Sequence, residues 1–460
     1  MSLKRVIYFL LLLFLFLLPW QARVVYAPAF INGQFWEYGS GSWYATEAFL
    51  WVIILLSALD RFRQKSFWAL VTSREHFQQH WPQLFFLVGV LLYALWQILR
   101  STSPTISYQW LFHLLEGLCL LIIIAEQKGD GRGLLVAFWA GGVGQGILGA
   151  WQFFSQAVTH IPGFGIAPQT AARIGSFVVE TSTERWLRAY GSFGSPNILG
   201  GYLALVFIIG LLLYLKSTLR QKVFFTAGQM VVLTGLVLSF SRGAWVAALT
   251  GVAVAVAVVL SKAPARLNDI SRSGGKDLPF TPLNDRSKAQ AEDSSPHKGA
   301  LNDILKQLFF CLLIILTLFF TLHPLFATRF TPSTRLEARS LEERAGQYRD
   351  ALPLIREHWF MGAGPGAYTA ALAKKHPSWP VWNIQPAHNI YLLLFAELGV
   401  VGFVLFFWWC VFVVRRTLGQ RRYWLPVLFT LAALGLFDHW LMSLYVGAMV
   451  WWAIFGLGLL

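Results

Sequence analysis

The feature that most constrains this chain is a series of about twelve apolar runs near the length that crosses a bilayer. A spanning helix needs about 20 apolar residues, and lipid offers no partner to an unpaired backbone group. The runs fall at 3–19, 44–59, 82–99, 108–125, 134–157, 197–215, 224–239, 244–260, 307–322, 389–414, 424–437 and 440–460. They predict an all-α polytopic membrane protein with about 12 transmembrane helices. Only 13% of residues are charged, against about a quarter in a soluble domain, so long stretches never meet water. The 21 Trp and 38 Phe suit aromatic rings at headgroup level.

Net charge is +15, but the bases sit in short loops between apolar runs. No basic stripe interleaved with aromatics appears, so the charge reads as membrane orientation and not as nucleic-acid binding. Lys4/Arg5, Arg61/Arg63/Lys65/Arg74, Lys128/Arg132, Lys216/Arg220/Lys222 and Arg415/Arg416/Arg421/Arg422 fall in alternate connections. The other short connections hold Arg23, Arg100, Arg173, Arg185, Arg188 and Arg242. The bias places both termini in the cytoplasm. Val25-Tyr26-Ala27 is a candidate end to a signal peptide; with or without cleavage, residue 30 lies outside. Cys119, Cys311 and Cys410 all lie inside apolar runs, which argues against a disulfide framework or a thiolate metal site.

Five regions follow. Residues 1–260 hold transmembrane helices 1–8. Residues 261–306, rich in Ser, Asp, Lys and Pro, read as a disordered cytoplasmic loop. Residues 307–322 form helix 9. Residues 323–388 carry helical patterning and read as a large, ordered, partly helical extracytoplasmic loop that holds the catalytic residues. Residues 389–460 form helices 10–12.

Four motifs carry chemistry. In Pro386-Ala387-His388-Asn389, Asn389 is placed to cap the long helix that follows, which fixes His388 at a helix entrance on the outer surface. A histidine there can accept a proton from a hydroxyl. Glu397 lies about 12 Å deeper at 1.5 Å per residue, too far to orient His388, and suits a helix-interface hydrogen bond or a buried Arg. Ser239-Phe240-Ser241-Arg242-Gly243 joins two runs with almost no loop and puts Arg242 at membrane depth, where a guanidinium fork matches a diphosphate. Arg188 to Asn197 is a Gly-rich segment opening a helix, an arrangement that favours anions. Gly362-x-Gly364-x-Gly366 has no preceding strand and no following Lys-Ser/Thr, so it reads as a compact turn. The Asp438-His439 pair has no further ligand near it in sequence, and no metal set is expected.

With these motifs in order, the chain from about Arg188 to Gly402 resembles the O-antigen ligase family, which is related to O-antigen polymerases and bacterial O-linked oligosaccharyltransferases. The resemblance implies a metal-independent, inverting glycosyl transfer from a polyprenyl-diphosphate carrier to a glycan, glycolipid or protein acceptor outside the bacterial inner membrane, with no cofactor. It implies His388 as the base. It makes Arg242 and Arg344 the diphosphate clamps, Arg188 a supporting candidate, Arg339 a substitute for Arg344, and Asn389, Glu397 and Asn197 supporting residues. A polymerase of the same superfamily fits equally. A transporter of a lipid-linked anionic glycan would use the same arginines, but it has no need of His388 at a capped helix entrance.

Overall fold

The structure is a computed structural model that describes residues 2–64, 88–127, 129–181, 183–261, 296–330 and 335–460. Its helices are α1 (Leu3–Leu17), α2 (Ala45–Arg63), α3 (Val88–Arg100), α4 (Pro104–Ala125), α5 (Gly131–Ser155), α6 (Pro196–Leu215), α7 (Leu219–Leu238), α8 (Arg242–Leu260), α9 (Pro296–Thr321), α10 (His323–Phe330), α11 (Arg335–Glu357), α12 (Tyr368–Lys375), α13 (Ile390–Gln420), α14 (Leu425–Phe437), α15 (Trp440–Ser443) and α16 (Tyr445–Leu459). Each of the twelve apolar runs meets a helix. Among the described residues, seven helices are long and apolar enough to cross a membrane, and the chain is an integral membrane protein.

The centre post is α6. Its sequence is apolar on every face, and 89% of its spanning window is buried, the expected signature of a helix surrounded by others. Pro196 starts it, and the Ser195 side chain accepts from the Asn197 N–H. Around it stand α5, α7, α8 and α14. Helices α8 and α14 run antiparallel in close contact: Gly243 faces the Phe437 side chain and Gly251 faces Thr430 and Ile208. Small residues permit this approach, which is how helices hold together where lipid is as apolar as they are. Helix α1 buries Ile7, Leu11, Phe14 and Leu15 against α2 and α5. After it, Arg23–Ala27 pairs antiparallel with Gly41–Tyr44, so the Val25-Tyr26-Ala27 segment sits in a two-stranded hairpin.

Most of the expected disordered loop, 262–295, lies outside the described residues. Its last eleven residues are helical, because α9 begins at Pro296 and not at 307. The extra turns are polar and bind a neighbour: Lys222 ion-pairs with Asp303 at 2.5 Å, and the Thr226 hydroxyl donates to Gln307 at 3.0 Å.

Between α9 and α13, α10 packs on the main core through Leu325 and Phe326, while α11 and α12 form an ordered unit. Ala351 and Leu354 of α11, Leu372 of α12, Ile384, Leu393 and Ala396 make a small core of their own. This unit is stitched into α13, which is interrupted at Gly399 (φ 63°, ψ −171°). Segment 359–364 supplies the lost hydrogen bonds. Ala363 and Gly364 N–H donate to the Ala396 and Glu397 carbonyls, both at 2.9 Å, and Val400 N–H donates to the Trp359 carbonyl at 2.9 Å. A Cβ on Gly399 would lie 2.3 Å from the Phe360 carbonyl oxygen, in a backbone region that L residues avoid. Gly399→Ala is therefore expected to cost about 1–3 kcal/mol and to lower the thermal midpoint in detergent, with Gly419→Ala, whose Cβ meets nothing, as the neutral control.

Candidate functional site

His388 stands two residues before α13, and Asn389 caps that helix as expected, its Oδ1 accepting from Tyr391 N–H (3.0 Å) and Leu392 N–H (3.1 Å). Helix α11 passes beside it. Arg344, Gln347 and Tyr348 share one face of α11 by their spacing of three and four. Gln347 Oε1 accepts from the His388 backbone N–H at 3.0 Å and meets His388 Nδ1 at 2.8 Å. A backbone N–H can only donate, so the atom facing it is the amide oxygen. Nδ1 must then carry the proton, and Nε2 is left as the basic nitrogen.

The turn between α14 and α15 closes the other side. The His439 ring lies 4.9 Å from that of His388, nearly perpendicular to it. His439 Nδ1 is 2.5 Å from the Ser443 hydroxyl. Asp438 Oδ1 accepts from His439 N–H (2.7 Å) and Trp440 N–H (3.4 Å), capping α15. One ligand atom from each of His388, Asp438 and His439 lies within 4.8 Å of the others. In sequence the Asp438-His439 pair has no partner; the fold supplies one from about fifty residues earlier.

Electrostatics keep both imidazoles neutral. Burial is the main force holding His388 below the ordinary histidine range, and the Arg344 charge adds to it; Asp438 and, more weakly, Glu343 oppose it. His439 is pushed down to about 3 by burial, then by His388, against Asp438.

The arginines divide. Arg242 is the first residue of α8. Its neighbour Gly243 packs on Phe437, so Arg242 flanks the Asp438–His439 turn. Its Nη1 donates to the Arg329 carbonyl at 3.4 Å. Arg344 is half-buried and acts on His388 through its charge. Arg188 serves structure. It is buried and donates from Nε to the Ser239 carbonyl (2.7 Å) and from Nη2 to Asn197 Oδ1 (2.7 Å). Arg329, which sequence reasoning missed, donates to the Phe240 carbonyl at 2.7 Å. These two cations satisfy carbonyls at the C-terminal end of α7, where a helix attracts positive charge. Phe240 holds a left-handed φ of 47° there.

Arg339 is exposed and ion-pairs with Glu343 at 2.8 Å. Two turns from Gln347 on α11, it does not join the His388 group. Glu397 is structural too, accepting from Gly366 N–H at 2.9 Å and Tyr368 N–H at 3.4 Å. The Gly362–Gly366 segment is thus a turn folded around a buried carboxylate.

Residues 227–407 match the O-antigen ligase family model. The matched segment runs from α7 into α13 and holds Arg242, Arg344, Gln347 and His388. It leaves out Arg188 and the Asp438–His439 turn. No curated protein matches the chain.

Arg188→Met is expected to lower stability by about 2–3 kcal/mol, because it strands two buried acceptors. Arg339→Ala should stay within about 0.5 kcal/mol, as an exposed pair does. Thermal unfolding of the two variants in one detergent compares them.

Proposed function

We propose that this protein transfers a glycan from a polyprenyl-diphosphate carrier to an acceptor hydroxyl on the outer face of the bacterial inner membrane. The observation that carries the reading is Gln347 Oε1 on His388 Nδ1, which leaves His388 Nε2 as a neutral base within the field of Arg344, in a segment that matches the O-antigen ligase model. Nε2 takes the acceptor proton as the acceptor oxygen attacks the anomeric carbon. The bond from that carbon to the diphosphate breaks, the diphosphate leaves with the electron pair, and the configuration inverts. Arg242 and Arg344 meet the charge that develops on the leaving group. Electrostatic stabilisation, one base and correct placement suffice for such a step, with no metal in the reacting centre.

The helix lengths support a lipid-linked donor. Helices α14 and α16 have 13 and 15 residues, about 20 and 22 Å at 1.5 Å per residue, against a hydrocarbon core of about 30 Å. The turn they flank is then recessed from the membrane surface, at a level a carrier's diphosphate can reach while its tail stays in lipid. The positive-inside bias supports placing this end outside, both termini in the cytoplasm, and 323–388 as the extracytoplasmic loop.

His388→Ala should reduce transfer by a factor of about 10²–10⁴ with insertion intact, and Gln347→Leu should lose at least about tenfold through the wrong tautomer. Arg242→Lys should lose about tenfold or more, chiefly in donor affinity, because an ammonium lacks the planar fork. Wild-type kinetics in Arg242→Lys would remove Arg242 from the diphosphate. The assay uses purified chain, lipid-linked glycan and acceptor.

The pH profile tests the base. Its neutral form is needed, so rate is full above the His388 pKa and falls as pH drops through it. That acid limb should lie below the ordinary value of about 6.5. Asp438 raises the pKa and Arg344 lowers it. Asp438→Asn should therefore move the limb to lower pH and Arg344→Gln to higher pH. Movement of both in one direction would sink the assignment.

A further inference from the structure

A second set of titratable residues lies outside the His388 site and plays no part in it. Glu47 is in the first turn of α2 and 2% exposed; Glu116, on α4, is 1% exposed. His113 lies one turn before Glu116 on the same face of α4. One ligand atom from each of the three falls within 4.8 Å of the other two. Glu47 divides its carboxylate: Oε2 accepts from Tyr44 N–H at 3.1 Å, and Oε1 lies 3.9 Å from His113 Nε2.

His113 Nε2 closes no hydrogen bond among the described residues, and the Glu116 carboxylate faces the Trp51 indole and the Glu47 carboxylate without a closed one. Tyr445, the first residue of α16, adds an independent donor atom. Its ring stacks on Tyr44 at 4.9 Å and meets His113 edge-on at 5.2 Å. Its hydroxyl is buried, faces the Thr46 side chain without a closed hydrogen bond, and lies within the field of both carboxylates. A cavity of about 90 Å³ borders this group at His113, Tyr44 and Tyr445 and is lined also by Arg23, Glu37, Pro386 and Ser443; Glu47 and Glu116 lie behind its wall. Arg23 is committed to Glu37 at 2.9 Å.

Two abutting carboxylates in membrane-embedded helices are costly unless a shared proton or a cation joins them. No Lys or Arg ion-pairs with either among the described residues. A dication cancels both charges at once. An imidazole nitrogen in the donor set favours a borderline ion over magnesium or calcium, which take oxygen alone. Bonds of about 2.0–2.2 Å would draw these atoms together onto one centre, and the cavity beside His113 has room for water.

We propose that Glu47, His113 and Glu116 bind a divalent cation of the zinc class, with the Tyr445 hydroxyl beside it, tying α2 to α4 and α16. The role is structural and independent of glycosyl transfer.

The test uses the full chain in detergent, stripped with chelator and titrated with Zn²⁺ alone, in a His388→Ala background so that the other histidine cluster does not contribute. Calorimetry should show about one zinc per chain, and zinc should raise the thermal midpoint. Glu116→Gln should weaken binding at least about tenfold and abolish the rise, and His113→Gln should do the same. The zinc-free midpoint of Glu116→Gln should equal or exceed that of its parent, because a buried carboxylate has become neutral; this separates lost binding from misfolding. Unchanged zinc affinity in both variants, or no binding before them, would overturn the proposal.

Discussion

Everything in this fold answers to one constraint: a backbone polar group in hydrocarbon must find its partner within the protein. Unbroken helices meet it alone. Three of the breaks in the helical pattern among the described residues are each repaired differently. At 239–241 two arginines cap the carbonyls that end α7. At 438–440 the Asp438 carboxylate takes the two N–H groups that open α15. At 397–399 the chain borrows a strand-like partner from 359–364. Arg242 and the Asp438–His439 turn sit at the first two, because a broken helix needs polar and charged side chains at depth, while His388 stands at the entrance of α13.

Burial sets the tone of the His388 pocket. It holds both imidazoles neutral, while Asp438 and Arg344 pull His388 in opposite directions. Hydrogen bonding to Gln347 chooses which His388 nitrogen is left bare, whereas its affinity for a proton is set by charges on two other elements. Orientation and basicity can therefore vary independently.

The apolar runs are legible because hydropathy integrates over many residues, and Asn389 because a cap needs only its local sequence. Gln347 is not legible: its meaning depends on which face of α11 turns toward a residue 41 positions later. Adjacency in sequence shows Asp438 and His439 as a pair, and only packing shows the third member. Arg188 and Glu397 are legible as charges in apolar surroundings but not in purpose. Their partners are mainly backbone groups, which carry no sequence signal. The true start of α9 escapes hydropathy because its first turns are amphipathic, held by Lys222 and Thr226, and an apolar window reads polar helix as loop.

The stitched interruption of α13 makes the 335–388 segment and the first half of that helix one mechanical piece. Segment 359–364 is woven into α13, while Gln347 grips the residue just ahead of it. A chimera that exchanges only the loop between related chains would cut through this weave. It would leave α13 with an unhealed gap and the histidine without its tautomer-setting amide. The smallest unit that can be exchanged, by recombination or in the laboratory, therefore runs from the start of α11 past Val401.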